Sequence, residues 1–153
     1  MFNVHALGGL QMMSEARKAV DAKSGRGRKP LLVAVTILTS LNEAELSKEL
    51  GIGRALKDQV LALAQLAKQA GLDGVVCSPR EIELLRTSLG KKFLLVTPGI
   101  RPKGSDKHDQ ERCLTPSEAL RFGATYLVVG RPVTASPHPR QVVQEFFKEA
   151  ASL

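Results

Sequence analysis

Five short apolar runs rich in Val, Ile and Leu punctuate the chain at Phe2 to His5, Leu31 to Leu38, Gly74 to Cys77, Phe93 to Val96 and Tyr126 to Val129. Their hydrophobicity is nearly continuous rather than alternating, the pattern of parallel strands buried on both faces. Amphipathic stretches lie between them at Gln11 to Ala22, Lys57 to Ala70, Pro79 to Leu89 and Pro116 to Phe122, and Arg140 to Ala151 closes the chain. Ser78-Pro79-Arg80-Glu81 opens one of these with an N-cap and a proline in the first turn, and Thr115-Pro116-Ser117-Glu118 opens another in the same way. Strand followed by helix, repeated without hairpin turns, predicts right-handed βαβ units and an α/β fold.

Length constrains the architecture. A full (β/α)8 barrel takes about 250 residues, roughly 31 per unit, so about five units fit here; the chain has 153 residues. Two arrangements satisfy that number: an open doubly wound sheet, or the C-terminal part of a barrel with an uncovered first strand. With 43% hydrophobic and 24% charged residues, positions 1–153 are expected to form a single domain. No run approaches the 18 or so uncharged apolar residues of a membrane span, and the N-terminus lacks the basic-then-apolar order of a signal peptide. Cys77 and Cys113 are too few for a disulfide framework and lack zinc-ligand spacing. A cytoplasmic protein without membrane partners is therefore expected.

Charge narrows the partners. Lys plus Arg number 22 against 15 Asp plus Glu, a net charge of +7, which favours anionic ligands. Aromatics make up only 4%, with no Trp and one Tyr, so the stacking platform of single-strand binders is missing. A phosphorylated small molecule fits better than nucleic acid. The basic Ser24 to Pro30 segment reads as a solvated helix-to-strand loop, whereas polar Pro102 to Arg112 follows a strand directly, where active-site lids of α/β barrels sit.

Three strand ends carry candidate chemistry: Leu38-Thr39-Ser40, then Thr97-Pro98-Gly99-Ile100-Arg101-Pro102, then Gly130-Arg131-Pro132. In a parallel barrel these ends meet on one rim. Glycine there admits an anion to backbone N–H groups and arginine adds charge-assisted bonds, so the pattern suits phosphate. An alternative is that Arg101 and Arg131 are ordinary surface arginines. His5 at the first strand end reads as a structural histidine, Asp73 as a turn residue at the opposite end, and His108 and His138 have no metal-ligand spacing.

FNVHALGG, LLVAVTILTS, GLDGVVCSPRE, LLVTPGIRPKGSDKHDQER, LTPSEAL and YLVVGRPVTASPHP together resemble the orotidine 5'-phosphate decarboxylase family of the bacterial type, from the fourth barrel strand to the C-terminus. TPGIRP, GSDKHDQ and VVGRP in this order are the specific part. The resemblance implies a (β/α)8 TIM barrel, homodimeric when complete, that converts orotidine monophosphate to UMP and carbon dioxide, the last step of pyrimidine nucleotide synthesis, without metal or organic cofactor. It implies that Thr39 contacts the pyrimidine edge and Pro98 lies beside the base. Arg101 and Gln110 would close over the phosphate, Gln110 also reaching toward the base, with Gly130 and Arg131 as the principal phosphate grip.

One part of the family pattern is missing. The resemblance places the catalytic lysine, which protonates C6 as carbon dioxide leaves, in a D-x-K-x-x-D motif, and no such motif occurs in this sequence. Asp21-Ala22-Lys23 matches its first half but ends an amphipathic stretch and lacks the second Asp, so no catalytic residue is assigned. The leading expectation is the C-terminal part of a decarboxylase, inactive alone, with about 90 residues in three preceding units outside it through a late start or a fragmentary gene. A second reading is a non-catalytic nucleotide- or phosphate-binding remnant of the same fold. A third, another phosphate-handling barrel enzyme such as a hexulose phosphate synthase or phosphopentose epimerase relative, needs metal or acid residues at strand ends that are not found.

Overall fold

The computed structural model describes residues 1–25, 27, 29–102 and 114–152. Strand β1 (Phe2–His5) passes through a 3-10 turn (Ala6–Gly8) into α1 (Gly9–Lys23), then β2 (Leu32–Val35), α2 (Glu43–Lys48) and α3 (Leu56–Gln69). Strand β3 (Gly74–Val76), a 3-10 turn (Pro79–Glu81), α4 (Ile82–Leu89), β4 (Leu94–Thr97) and α5 (Pro116–Phe122) follow, and β5 (Tyr126–Leu127), α6 (Arg131–Thr134) and α7 (Pro139–Ala150) complete the order.

Each strand pairs in parallel with the next one in sequence, giving the order β1-β2-β3-β4-β5. A doubly wound sheet reverses direction at a switch point. Strictly sequential pairing through right-handed crossovers instead places every helix on the same side and bends the sheet into an arc of barrel type. Register confirms the two faces. Ala34, Val75 and Leu95 stand opposite one another and are fully buried beneath the helices. Their neighbours Val33, Val35, Val76 and Val96 project to the concave side, because successive side chains alternate across a strand.

The helices bury apolar stripes on the convex side. In α3 the stripe is Val60, Leu63, Ala64 and Ala67, and the two alanines let its backbone lie close to the strands. In α4 it is Ile82, Leu85 and Leu89. Both expected caps form: Ser78 accepts from Arg80 N and Thr115 from Glu118 N, each completed as a capping box by the glutamate three residues on. Arg86 ties the outer layer to the strand ends below it. Its guanidinium donates to the carbonyls of Gly90, Phe93 and Gly123, at 2.7, 2.8 and 2.6 Å.

At the N-terminal ends of the strands, Asp73 is more than the turn residue its sequence context suggests. Its Oδ2 accepts from Leu32 N at 2.7 Å and from Arg17 Nη1 at 3.1 Å, joining β2, β3 and α1. Arg17 is buried, and its Nη2 lies 2.7 Å from Asp21 in an ion pair without hydrogen-bond geometry. Lys29 closes on the same Asp21, and the two cations hold that exposed carboxyl below the usual range, Lys29 first. Asp73→Ala leaves a buried guanidinium with one fewer partner and an orphaned Leu32 N–H. A loss of about 2 kcal/mol is expected by urea unfolding, with Asp73→Asn costing less because it still accepts from Leu32.

Cys77 follows β3 and is completely buried. Burial, reinforced by the Glu81 charge, pushes its thiol up to about 12. The raised folded value means that this contribution is complete below the unfolded thiol pKa, near 9, and is lost as pH rises toward 12. Stability should therefore fall across that window by at most about 1.4 kcal/mol per pH unit, a slope that Cys77→Ala removes. At neutral pH in a Cys113→Ser background, thiol reagents should label Cys77 only at the rate of unfolding.

Candidate functional site

Because all five strands run the same way, the segments leaving β1, β2, β4 and β5 emerge on one rim. Thr39, Pro98, Arg101, Gly130 and Arg131 all lie on those segments, and the structure places them at this common end. Asp73, Arg17, Asp21 and Lys29 occupy the other end. That separates a candidate binding rim from a stabilising base, and it removes Asp21 from any site at the rim.

Each rim segment has a local cause. β2 ends at Val35 rather than continuing to Leu38, and just past it Thr36 N and Oγ1 both donate to Val76 O, at 3.3 and 3.0 Å, holding the departing chain against β3. A turn closed by Leu41 N donating to Leu38 O at 3.0 Å then presents half-buried Thr39. Asn42 stops this loop by capping α2, accepting from Ala44 N and Glu45 N while Glu45 accepts from Asn42 N. Neither Thr36 nor α2 was identified from hydrophobic periodicity, although Asn42-x-x-Glu45 is itself a capping-box signature.

The segment after β4 turns at Gly99, whose φ of +78° lies in the left-handed region that favours glycine. Ile100 beyond it is fully buried and bridges Leu114, and Arg101 N donates to Leu114 O at 3.1 Å. The two ends of the long polar segment are thereby drawn together beside the rim, with Arg101 and Pro98 half-buried. Of the expected lid, Pro102 is described and half-buried, and residues 103–112, Gln110 among them, lie outside the described residues. After β5, Gly130 leads into the single turn of α6, which begins at Arg131. Among the described residues, nothing lies within 4 Å of where a Cβ on Gly130 would project, which leaves room there for an approaching ligand. Both residues are exposed.

The rim thus carries two guanidinium groups, a threonine and a glycine that no described residue crowds. Such a set can grip a phosphate and one face of an attached ring. Among the described residues, no group of three or more His, Cys, Asp and Glu side chains is placed to hold a metal ion. His5 ends β1 exposed, and its side chain makes no capping hydrogen bond to the turn that follows.

Comparison with known proteins gives this rim its context. The family model described as orotidine 5'-phosphate decarboxylase / HUMPS family matches residues 1–146. An orotidine 5'-phosphate decarboxylase of Moorella thermoacetica is 53% identical over 141 residues, covering 91% of this chain and 56% of its own length. One from Nitrosococcus oceani is 50% identical across 100% of this chain and 64% of its own length. The crystal structure of orotidine 5'-phosphate decarboxylase from Lactobacillus acidophilus superposes with a TM-score of 0.84 at 39% identity, covering 98% of this chain and 62% of that one. The chain therefore spans about three fifths of the length of these relatives, and its five-stranded arc is an incomplete (β/α)8 barrel. By sequence and fold alike, the chain belongs to the orotidine 5'-phosphate decarboxylase / HUMPS family.

Proposed function

We propose that the chain is the C-terminal portion of an orotidine 5'-phosphate decarboxylase and supplies the phosphate and base grip of its active site. The observation that carries this reading is the convergence of the Thr39, Pro98–Arg101 and Gly130–Arg131 segments on one rim of a parallel arc. Arg131 and the backbone at Gly130 hold the phosphate, Arg101 and Gln110 close over it, Pro98 packs beside the pyrimidine and Thr39 faces its edge. In the complete cytoplasmic homodimer, the bond from C6 to the carboxylate breaks, carbon dioxide leaves, and the electron pair left on C6 takes a proton. The proton donor belongs to residues beyond this chain, since no D-x-K-x-x-D motif is present. Phosphate binding far from C6 assists that step by closing the site, which needs no metal or organic cofactor.

Calorimetric titration of the chain with UMP and with uridine tests the reading. UMP should bind measurably more tightly than uridine, inorganic phosphate should compete, and orotidine monophosphate should release no carbon dioxide on the isolated chain. Equal affinity for UMP and uridine would remove the phosphate grip from the proposal.

A further inference from the structure

We infer that Thr36 is a positioning residue for the rim: its buried hydroxyl ties the chain leaving β2 to β3 and thereby sets where Thr39 stands. For its effect on binding the inference rests on the proposed function, which gives Thr39 the pyrimidine edge to face.

Thr36 is the one polar residue in the apolar run Leu31 to Leu38 and is 1% exposed. A hydroxyl taken out of water costs free energy unless it is bonded, so for packing alone a valine would serve the core better. Val76 O accepts from both Thr36 N and Thr36 Oγ1, and the side-chain bond, at 3.0 Å, is shorter than the backbone one, at 3.3 Å. The backbone bond lies beyond the usual N–H···O range, which leaves the side chain as the firmer attachment just past the end of β2. Ile37 is buried next to it, but apolar packing is non-directional and does not fix the heading of the chain. Thr39 stands three residues beyond Thr36, at most about 11 Å of extended chain. The next side-chain anchor is Asn42, which caps α2. The turn that presents Thr39, closed by Leu41 N donating to Leu38 O, is thus held between two polar side chains.

The neighbouring strands supply a contrast. Thr36, Cys77 and Thr97 come one residue after Val35, Val76 and Val96, which stand opposite one another, so the three face the helix layer side by side. Thr97 is fully buried like Thr36. Its Oγ1, however, meets no hydrogen-bond partner among the described residues and lies beside the Cys77 thiol without bonding geometry. Two threonines therefore share a row and a degree of burial, and of the two only Thr36 bonds through its side chain to the next strand.

The test compares Thr36→Val, Thr36→Ser and Thr97→Val in the full chain, each titrated calorimetrically with UMP and with inorganic phosphate under conditions in which circular dichroism shows it folded. Thr36→Val keeps the branched shape and loses the bond. Its affinity for UMP should fall about fivefold, while its affinity for phosphate, which does not involve Thr39, should stay within about twofold. Thr36→Ser restores the hydroxyl and should recover the affinity for UMP, and Thr97→Val should leave both affinities unchanged. A role confined to stability would lower the urea midpoint of Thr36→Val and leave UMP binding by the folded protein as it was. That result overturns the inference, as does an equal loss in Thr97→Val or a failure of serine to rescue. Amide exchange reads the anchor without any ligand: the Leu41 N–H should exchange about fivefold faster in Thr36→Val than in the parent or in Thr36→Ser, with the Leu95 N–H unchanged. A parent chain that binds no UMP removes the proposed function, whereas unchanged exchange at Leu41 overturns the anchor, so the two fail separately.

Discussion

Gly74→Ala is expected to destabilise the chain by about 3 kcal/mol or more, the upper part of the range for forcing atoms into a packed interior. Gly74 opens β3 opposite Leu94 of β4. A Cβ added there would lie 2.2 Å from the Leu94 carbonyl oxygen, 2.5 Å from Leu94 Cβ and 2.7 Å from the Leu94 carbonyl carbon. Two of these three atoms are backbone, so no rotamer change relieves the contact and β4 must move. Leu94 N also donates to Asp73 O at 2.9 Å, the bond that fixes the β3–β4 register, so the displacement strikes the pairing itself. Gly53→Ala provides the control: its added Cβ meets nothing within 4 Å among the described residues, and a change within about 0.5 kcal/mol is expected. Urea unfolding of the two variants decides the matter. If Gly74→Ala unfolds within 1 kcal/mol or so of Gly53→Ala, the close approach of β3 to β4 is wrong. Because β4 carries Pro98 to Arg101 at its far end, the same displacement should weaken UMP binding through residues that touch no ligand.

That glycine marks a boundary between what was and was not legible in the chain. Gly74 was readable as the start of an apolar run, but its need to remain glycine depends on Leu94, a residue brought opposite only by folding. Strands and long helices were legible because their burial is periodic, and the Ser78 and Thr115 caps because capping chemistry is local. The apolar run Leu31 to Leu38 overstated its strand, since β2 ends at Val35 and the rest of the run leads into the turn closed by Leu41 N on Leu38 O. Tyr126 to Val129 also overstated β5, whose register with β4 covers Tyr126 and Leu127, with Val128 N adding one bond to Thr97 O. Helices α2 and α6, of 6 and 4 residues, are too short to display a hydrophobic period. The choice between a doubly wound sheet and a barrel arc lay beyond local patterning, because it concerns which strands become neighbours. Thr39, Pro98, Arg101, Gly130 and Arg131 lie on segments at one end of the sheet as a consequence of parallel topology alone.

Placement on a rim does not say which residue dominates the binding, and here the chemistry of the groups is decisive. Arg131→Ala is expected to weaken UMP binding by about 3 kcal/mol, a factor of roughly 150 in Kd, because it removes charge-assisted hydrogen bonds to a dianionic group. Uridine, which lacks that group, should bind the variant and the parent equally. Arg131 is exposed at the start of the four-residue helix α6, and urea unfolding of the variant separates any effect on the fold from the effect on the ligand. Arg131→Lys keeps the charge and loses the planar fork, so it should recover part of the affinity but not all of it. On the proposed roles, Arg101→Ala should cost less than Arg131→Ala, because Arg131 is assigned the principal phosphate grip, and the backbone bond from Arg101 to Leu114 persists whatever the side chain. Calorimetry with UMP and uridine on the three variants separates these roles. An Arg131→Ala protein that loses uridine and UMP in the same proportion would place Arg131 in support of the rim rather than on the phosphate, and Gly130 and Arg101 would then have to carry the anion without it.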